Sequence, residues 1–232
     1  MSIQETKAIV IQTTPLTDSI LQVTLAPKHY IEYQPGQYLE LLLSDFTSYF
    51  SIANAPLGSH HYELHIRHRH DNPADQHLLN EMKPQEELTL RAPFGVCSLA
   101  HLDPVKPILF ITGGTGYAPV NAMIEQLLAS NDSRRFELIW GARTQSDLYL
   151  DEKVIQWHNH VQQFQYMSLL SSQDTQTLAS VAIARHALDL CNWQIVISGP
   201  FDMVYNTRDQ LVAHGVPLGN LYSDAFQFED NV

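Results

Sequence analysis

The feature that most constrains the fold is a change in hydrophobic pattern near residue 106. Up to about residue 100, short apolar segments are separated by turn residues, and no helical period links them. These segments are residues 7–12, 20–25, 37–43, 50–53, 62–69 and 87–92. Six short strands with Pro and Gly in the gaps predict a small antiparallel β barrel.

From residue 107 onward, apolar strands alternate with helical patterns. Strands are predicted at residues 107–112, 137–140, 165–170 and 194–198. Helices are predicted at residues 147–157, 178–188 and 201–214, and after the first strand, where Val120, Met123, Ile124, Leu127 and Leu128 share one face. This alternation predicts a doubly wound parallel α/β sheet. With the boundary at residues 101–106, we expect two domains, 1–102 and 103–232.

A glycine-rich segment follows the first strand of the second half. It consists of Gly113, Gly114, Thr115 and Gly116, and we call it the glycine turn; Pro119 then falls in the first turn of the predicted helix. Glycines let the backbone approach a phosphate closely, and a helix N-terminus offers unpaired N–H groups. The segment is not the G-x-G-x-x-G fingerprint, so taken alone it equally fits a tight turn with no ligand.

The composition excludes several classes of protein. The chain has 13 Lys and Arg against 25 Asp and Glu, a formal net charge of −12, which disfavours nucleic acids and anionic membrane surfaces as partners. No apolar stretch approaches the roughly 20 residues of a membrane span, so we expect a cytoplasmic protein. Cys97 and Cys191 cannot supply the four thiolates of an iron–sulfur cluster, and we predict two core thiols. His68 and His70 have strand spacing for a metal, but no third ligand is identifiable, so no metal site is predicted.

Several segments resemble one known family in the right order. Gly-Gly-Thr-Gly-Tyr-Ala-Pro at 113–119 resembles the nicotinamide-nucleotide motif of the ferredoxin–NADP reductase superfamily. Its other motifs are matched by Pro-Gly-Gln-Tyr at 35–38, Tyr-Phe-Ser-Ile-Ala at 49–53, Trp-Gly-Ala-Arg at 140–143 with Asp-Leu-Tyr at 147–149, Ser-Gly-Pro at 198–200 with Met203, and Tyr-Ser-Asp-Ala-Phe at 222–226. The last segment is similar to the C-terminal end of stand-alone flavin reductases and oxygenase reductase components. The resemblance implies a flavin-binding barrel, an NADH- or NADPH-binding α/β domain, and hydride transfer in the cleft between them.

The resemblance also implies roles for individual residues. Ser51 is the expected catalytic residue, hydrogen-bonded to flavin N5, although it also fits a strand serine bonded to backbone. Tyr49 is expected to contact the isoalloxazine while Phe50 packs in the barrel. The other expected cofactor-binding residues are Ile52 and Phe226 for flavin, and Gly113, Gly114, Thr115, Gly116, Pro119, Arg143, Gly199 and Pro200 for the nucleotide. Phe226 equally fits a core anchor, and Arg143 a solvated surface arginine.

The sequence departs from the family at the flavin site. Ser48 stands where relatives carry an arginine that grips the flavin phosphate or ribityl chain. Residues 71–75, with two carboxylates, replace a Gly-x-x-Ser loop and would repel a phosphate. Arg67 is a candidate to supply the missing charge. On the nucleotide side, the absence of arginine from residues 171–174 favours NADH over NADPH.

Three functions remain open at this point. The first is an NAD(P)H–flavin oxidoreductase for which FMN, FAD or riboflavin is a loosely bound substrate. The second is a flavoprotein that keeps its flavin and supplies electrons to a partner, such as an oxygenase or a dehydratase-type enzyme of sugar biosynthesis. The third is a catalytically silent nucleotide-binding module, because the missing arginine could mean that flavin binding has been lost.

Overall fold

The computed structural model describes residues 2–231, without the side chains of residues 229–231. The chain divides into two compact units. The barrel unit comprises Met1–Ala100 and Ala118–Asn131, and the sheet unit comprises His101–Tyr117 and Asp132–Val232. The segment Ala118–Asn131 therefore groups with the barrel, although it follows the first strand of the second half in sequence.

The barrel unit is built on six strands, each antiparallel to its neighbours, in the order β4-β3-β6-β1-β2-β5. The strands are β1 (Gln4–Thr17), β2 (Ile20–Pro27), β3 (Tyr38–Leu42), β4 (Thr47–Ser51), β5 (Tyr62–Arg67) and β6 (Glu87–Phe94). Just past the end of β4, Ala53 N–H donates to the carbonyl oxygen of Glu63 on β5 at 2.7 Å, which links the first and last strands of that order. The predicted antiparallel barrel is confirmed.

Two features of the barrel unit differ from the sequence prediction. A helix, α1 (Pro73–Glu81), lies between the predicted strands 62–69 and 87–92, where the sequence predicted no element. Its N-terminus is capped by Asn72, whose side chain accepts from the N–H groups of Ala74 and Asp75, and Leu78 is its one buried residue. A helix with so narrow an apolar face shows no clear period in the sequence. In addition, β4 ends at Ser51 rather than at residue 53.

The sheet unit contains five parallel strands in the order β11-β10-β7-β8-β9. They are β7 (Ile108–Gly113), β8 (Phe136–Ala142), β9 (Phe164–Leu170), β10 (Gln194–Ser198) and β11 (Leu221–Tyr222). The helices that connect these strands are α2 (Tyr117–Ala129), α3 (Asp151–His160), α4 (Leu178–Arg185) and α5 (Phe201–Ala213). All of α2 after Tyr117 groups with the barrel unit. The parallel sheet is confirmed; β11 was missed because two residues are too short to show a pattern.

Two further predictions meet the structure here. Cys97 is buried but Cys191 is exposed, so the prediction of two core thiols is wrong for Cys191. Within residues 2–231, no helix combines the length and apolar character that crossing a bilayer requires.

Candidate functional site

The parallel sheet changes direction between β10 and β7. From β7 the chain proceeds to β8 and β9 on one side, and then crosses to β10 and β11 on the other. In open parallel sheets, the loops after two such strands lead away from each other and leave a crevice where ligands bind. Here those loops are the glycine turn after β7 and Ser198-Gly199-Pro200 after β10. The sheet therefore places both predicted nucleotide segments at its switch point.

The two segments pack backbone against backbone. A Cβ on Gly116 would overlap the carbonyl oxygen of Ser198 and lie 2.6 Å from the Cα of Gly199. Gly199 has φ +153°, and a Cβ there would lie 3.1 Å from the backbone nitrogen of Gly113. On Gly113, a Cβ would meet Met203 Cε at 3.1 Å and Pro200 Cδ at 3.4 Å. This arrangement requires glycine at positions 116 and 199.

The glycine turn has a defined conformation. Gly114 has φ +54°, in the left-handed region, and Gly114–Gly116 form a single 3₁₀ turn that leads into α2. The Trp140 indole Nε1–H donates to the Gly114 carbonyl oxygen at 3.0 Å. Because the turn precedes a helix, its N–H groups form the kind of cradle that binds phosphate oxygens.

The remaining residues predicted to bind the nucleotide, Thr115, Pro119 and Arg143, differ in exposure. Thr115 is half-buried within the turn, whereas Pro119 is buried in the first turn of α2. The Arg143 side chain is 74% exposed just after β8, where its guanidinium lies 3.3 Å from Asp147 Oδ1. Asp147 is buried, but water screens the exposed arginine end of the pair, so the pair contributes little stability and the guanidinium is accessible from solvent.

Next to the turn, Thr112 is fully buried, and its hydroxyl has no hydrogen-bond partner among the described residues. Buried hydroxyls are usually paired, and exceptions concentrate at functional sites. Thr112 was not among the predicted site residues.

On the flavin side, β4 presents alternate residues to opposite faces. Tyr49 is 57% exposed, and its hydroxyl donates to Glu40 Oε1 at 2.8 Å. Phe50 is half-buried against the barrel core. Ser51 is half-buried, two residues beyond Tyr49 and therefore on the same face. Ile52 is fully buried in the barrel core, and its backbone N–H donates to the Gln37 carbonyl oxygen at 3.0 Å, so neither its side chain nor its N–H is available to a cofactor.

Two other flavin predictions fall in different places. Arg67 is half-buried at the end of β5, paired in register with Ile20. Phe226 packs against the core of the sheet unit, with the Arg208 guanidinium 5.6 Å from its ring centroid. This contact favours the core-anchor interpretation of Phe226 over a flavin contact.

Two polar side chains within residues 71–75, those of Asn72 and Asp75, are already hydrogen-bonded to nearby backbone N–H groups. The Asp75 carboxylate accepts from the Arg69 backbone N–H at 2.8 Å and lies 3.3 Å from Arg69 Nε. Since Asn72 caps α1 in the same place, the exposed N–H groups that would hold a phosphate are already used.

Sequence reasoning missed Asn121 and Glu125, which lie one turn apart on α2. Asn121 is buried, and its amide donates to the Ala53 carbonyl oxygen at 2.7 Å and to Glu125 Oε1 at 3.1 Å. Glu125 Oε2 accepts from Ala55 N–H at 2.9 Å. The available signal was two polar residues at i, i+4 spacing on a largely apolar helix.

Comparisons with known proteins agree with this geometry. Residues 110–209 match the family model described as the oxidoreductase NAD-binding domain. The chain is 30% identical over 213 residues to the CDP-6-deoxy-L-threo-D-glycero-4-hexulose-3-dehydrase reductase of Yersinia pestis, covering 90% of this chain and 64% of that protein. It is 27% identical over 218 residues to a probable flavin reductase of Photobacterium leiognathi, covering 90% of this chain and 93% of that protein.

The matched family model and these relatives support the resemblance to the ferredoxin–NADP reductase superfamily that the sequence motifs predict. Among solved structures, the chain shares its fold with the Amycolatopsis cytochrome P450 reductase GcoB, with a TM-score of 0.85 and 21% identity, covering 96% of this chain and 69% of that chain. It spans less than two thirds of the Yersinia reductase but nearly all of the Photobacterium protein.

Proposed function

We propose that this chain is an NAD(P)H–flavin oxidoreductase whose flavin binds loosely and leaves after reduction. The observation that carries the proposal is the packing of the glycine turn against Ser198-Gly199-Pro200 at the switch point of the sheet. Only a glycine backbone fits there, and it leaves N–H groups at a helix start for a pyrophosphate. Residues 1–102 would bind the flavin and residues 103–232 the nicotinamide nucleotide.

The cofactors bring the reactivity, since NAD(P)H donates a hydride that oxidised flavin accepts. The protein has to bind the two cofactors, align their reacting rings and exclude water from them. Ser51 would donate a hydrogen bond to the flavin ring at N5, and exposed Tyr49 on the same face of β4 would contact the ring. The glycine turn would hold the pyrophosphate, with Arg143 contacting a phosphate or ribose oxygen.

Loose flavin binding is supported by the lack of a phosphate anchor at two places. Ser48 offers no positive charge at the start of β4. The N-terminus of α1, near the second place, is occupied by Asn72 and by the Asp75 carboxylate. A phosphate would meet negative charge there, so the isoalloxazine and ribityl groups would supply the binding energy, and riboflavin would serve as well as FMN.

NADH is the proposed donor. The loop after β9 contains no arginine in residues 171–174, and Asp174 Oδ2 accepts from Leu170 N–H at 2.8 Å. A carboxylate held in the loop after β9, the strand next to β8, disfavours the additional phosphate of NADPH.

A second candidate is a flavoprotein that retains its flavin and passes electrons to a partner enzyme such as an oxygenase. It is favoured by the name of the Yersinia relative, a dehydrase reductase. Residues 1–232 hold two cysteines, so they cannot themselves supply the four thiolates of an iron–sulfur cluster in such a pathway.

The test is to purify the protein, record its visible spectrum, and follow NADH oxidation with and without added riboflavin, FMN or FAD. A colourless protein that oxidises NADH only with added flavin supports the proposal. A yellow protein that reduces an external acceptor without added flavin supports the second candidate. If neither NADH nor NADPH is oxidised in any combination, the chain is a silent nucleotide-binding module.

A further inference from the structure

Trp140 makes a hydrogen bond to the glycine turn that no motif anticipates. Its side chain is fully buried at the carboxyl end of β8, opposite Thr112 in the register of the sheet. The indole Nε1–H reaches the Gly114 carbonyl oxygen at 3.0 Å. The same oxygen accepts the backbone N–H of Tyr117. Both lone pairs of this carbonyl oxygen therefore accept hydrogen bonds from Trp140 and Tyr117.

The direction of the indole N–H is fixed by two aromatic neighbours. The Tyr117 ring is stacked on Trp140 with centroids 4.0 Å apart and planes at 21°. The Tyr149 ring meets the indole edge-on, with centroids 5.3 Å apart and planes at 90°. A ring held from two sides in the core cannot rotate to another rotamer, so the hydrogen-bond donor stays where it is.

Fixing this carbonyl also fixes the amide that follows it. In a planar trans peptide, the C=O of Gly114 and the N–H of Thr115 point in opposite directions. With the carbonyl directed at Trp140, the Thr115 N–H is directed to the opposite side of the turn, away from the core. Gly114 has no Cβ and has φ +54°, so without the indole only the hydrogen bond from the Tyr117 N–H would oppose rotation of its peptide.

We propose that Trp140 is a positioning residue for dinucleotide binding, since its indole N–H holds the Gly114–Thr115 peptide in the orientation that presents an amide to the pyrophosphate. The inference rests on the proposed function for the identity of the ligand. It extends that function by assigning the shape of the cradle to a buried side chain that touches no ligand itself.

The test is Trp140→Phe, which keeps an aromatic ring between Tyr117 and Tyr149 and removes the donor. One lost hydrogen bond predicts Kd values for ADP-ribose and NADH about 3- to 10-fold higher, measured by calorimetry. The KM for NADH should rise by the same factor. The kcat at saturating NADH and the KM for riboflavin should stay unchanged, because the reacting rings are not touched.

Trp193→Phe is the matched control. Trp193 is also buried in the sheet unit, but its Nε1 has no hydrogen-bond partner among the described residues. Removing that donor should leave the Kd for ADP-ribose at the wild-type value. Equal affinity in wild type and Trp140→Phe, or an equal loss in both variants, overturns the inference. A wild-type protein that binds no ADP-ribose instead overturns the proposed function.

If Trp140→Phe does not fold, the inference can be tested by NMR on ¹⁵N-labelled wild-type protein. Adding ADP-ribose should shift the indole N–H resonance of Trp140 and leave that of Trp193 in place. An unmoved Trp140 resonance at saturating ADP-ribose contradicts the inference.

Discussion

Asn121 on α2 donates its side-chain amide to the carbonyl oxygen of Ala53, 2.7 Å away and two residues beyond Ser51. Both residues belong to the barrel unit. Through Glu125, the same helix also holds the N–H of Ala55. The helix that begins at the glycine turn therefore fixes the chain directly after the strand that carries the proposed flavin contacts.

Asn121→Ala should lower the free energy of unfolding by about 1–3 kcal/mol, because it leaves the buried Ala53 carbonyl without this donor. It should also raise the KM for riboflavin, since the end of β4 loses its support. Urea denaturation and steady-state kinetics measure the two effects. The control is Asn159→Ala at an exposed position of α3; equal stability of the two variants would contradict the prediction.

The architecture of the barrel unit and of the sheet unit could be predicted from the sequence because both depend on local patterns. Alternating and helical apolar periods mark the six barrel strands and the strand–helix repeats, and the structure confirms them. α1 was missed because its stability comes from the Asn72 cap and one buried leucine, Leu78, rather than from a face. β11 was missed because its two residues are ordered by pairing with β10.

The site was harder to predict than the fold because its decisive contacts are distant in sequence. Trp140 reaches Gly114 across 26 positions and Asn121 reaches Ala53 across 68, so neither contact has a local signature. Phe226 illustrates a motif that fits two roles. Its motif fitted either a flavin contact or a core anchor, and its packing against the core of the sheet unit, beside Arg208, favours the core anchor.

Ser51→Ala should lower kcat for riboflavin reduction by about 10- to 100-fold, because one hydrogen bond to the reacting ring is lost as its charge develops. The KM for NADH should stay the same, because the nucleotide segments are untouched. Stopped-flow measurement of flavin reduction separates the chemical step from binding. Ser59→Ala, at an exposed loop position, is the control. An unchanged rate in Ser51→Ala would leave Ser51 as a structural strand serine.

Gly116→Ala should abolish NADH binding and destabilise the fold by about 2 kcal/mol or more, because the new methyl group would overlap the Ser198 carbonyl. Gly219→Ala is the control at a glycine with open space, and it should change the free energy of unfolding by less than about 0.5 kcal/mol. Thermal unfolding and calorimetry with ADP-ribose give both quantities. Normal affinity in Gly116→Ala would show that the close packing does not shape the site.

Glu137 is a buried carboxylate on β8 that accepts hydrogen bonds from Arg185 and His186. Its Oε1 lies 2.5 Å from Arg185 Nε, and its Oε2 lies 3.1 Å from His186 Nε2. Burial by itself would raise the pKa of Glu137, but the hydrogen bonds and charges of His186 and Arg185 outweigh it and lower that pKa below 4.5. A carboxyl whose pKa is lower in the folded than in the unfolded state stabilises the fold above the unfolded pKa. That contribution is lost as the pH falls through the folded pKa.

Glu137→Gln should therefore be less stable than wild type by about 3 kcal/mol at about pH 6, where the wild-type carboxylate is charged and paired. The difference should shrink as the pH falls below about 4.5, since protonation removes the same charge from the wild type. Urea denaturation of both proteins across this range measures the gap. Glu152→Gln, at an exposed position of α3, should stay within about 0.5 kcal/mol of wild type at about pH 6. If the difference in the free energy of unfolding between wild type and Glu137→Gln stays constant or increases on acidification, the ionised Glu137 carboxylate does not stabilise the sheet unit.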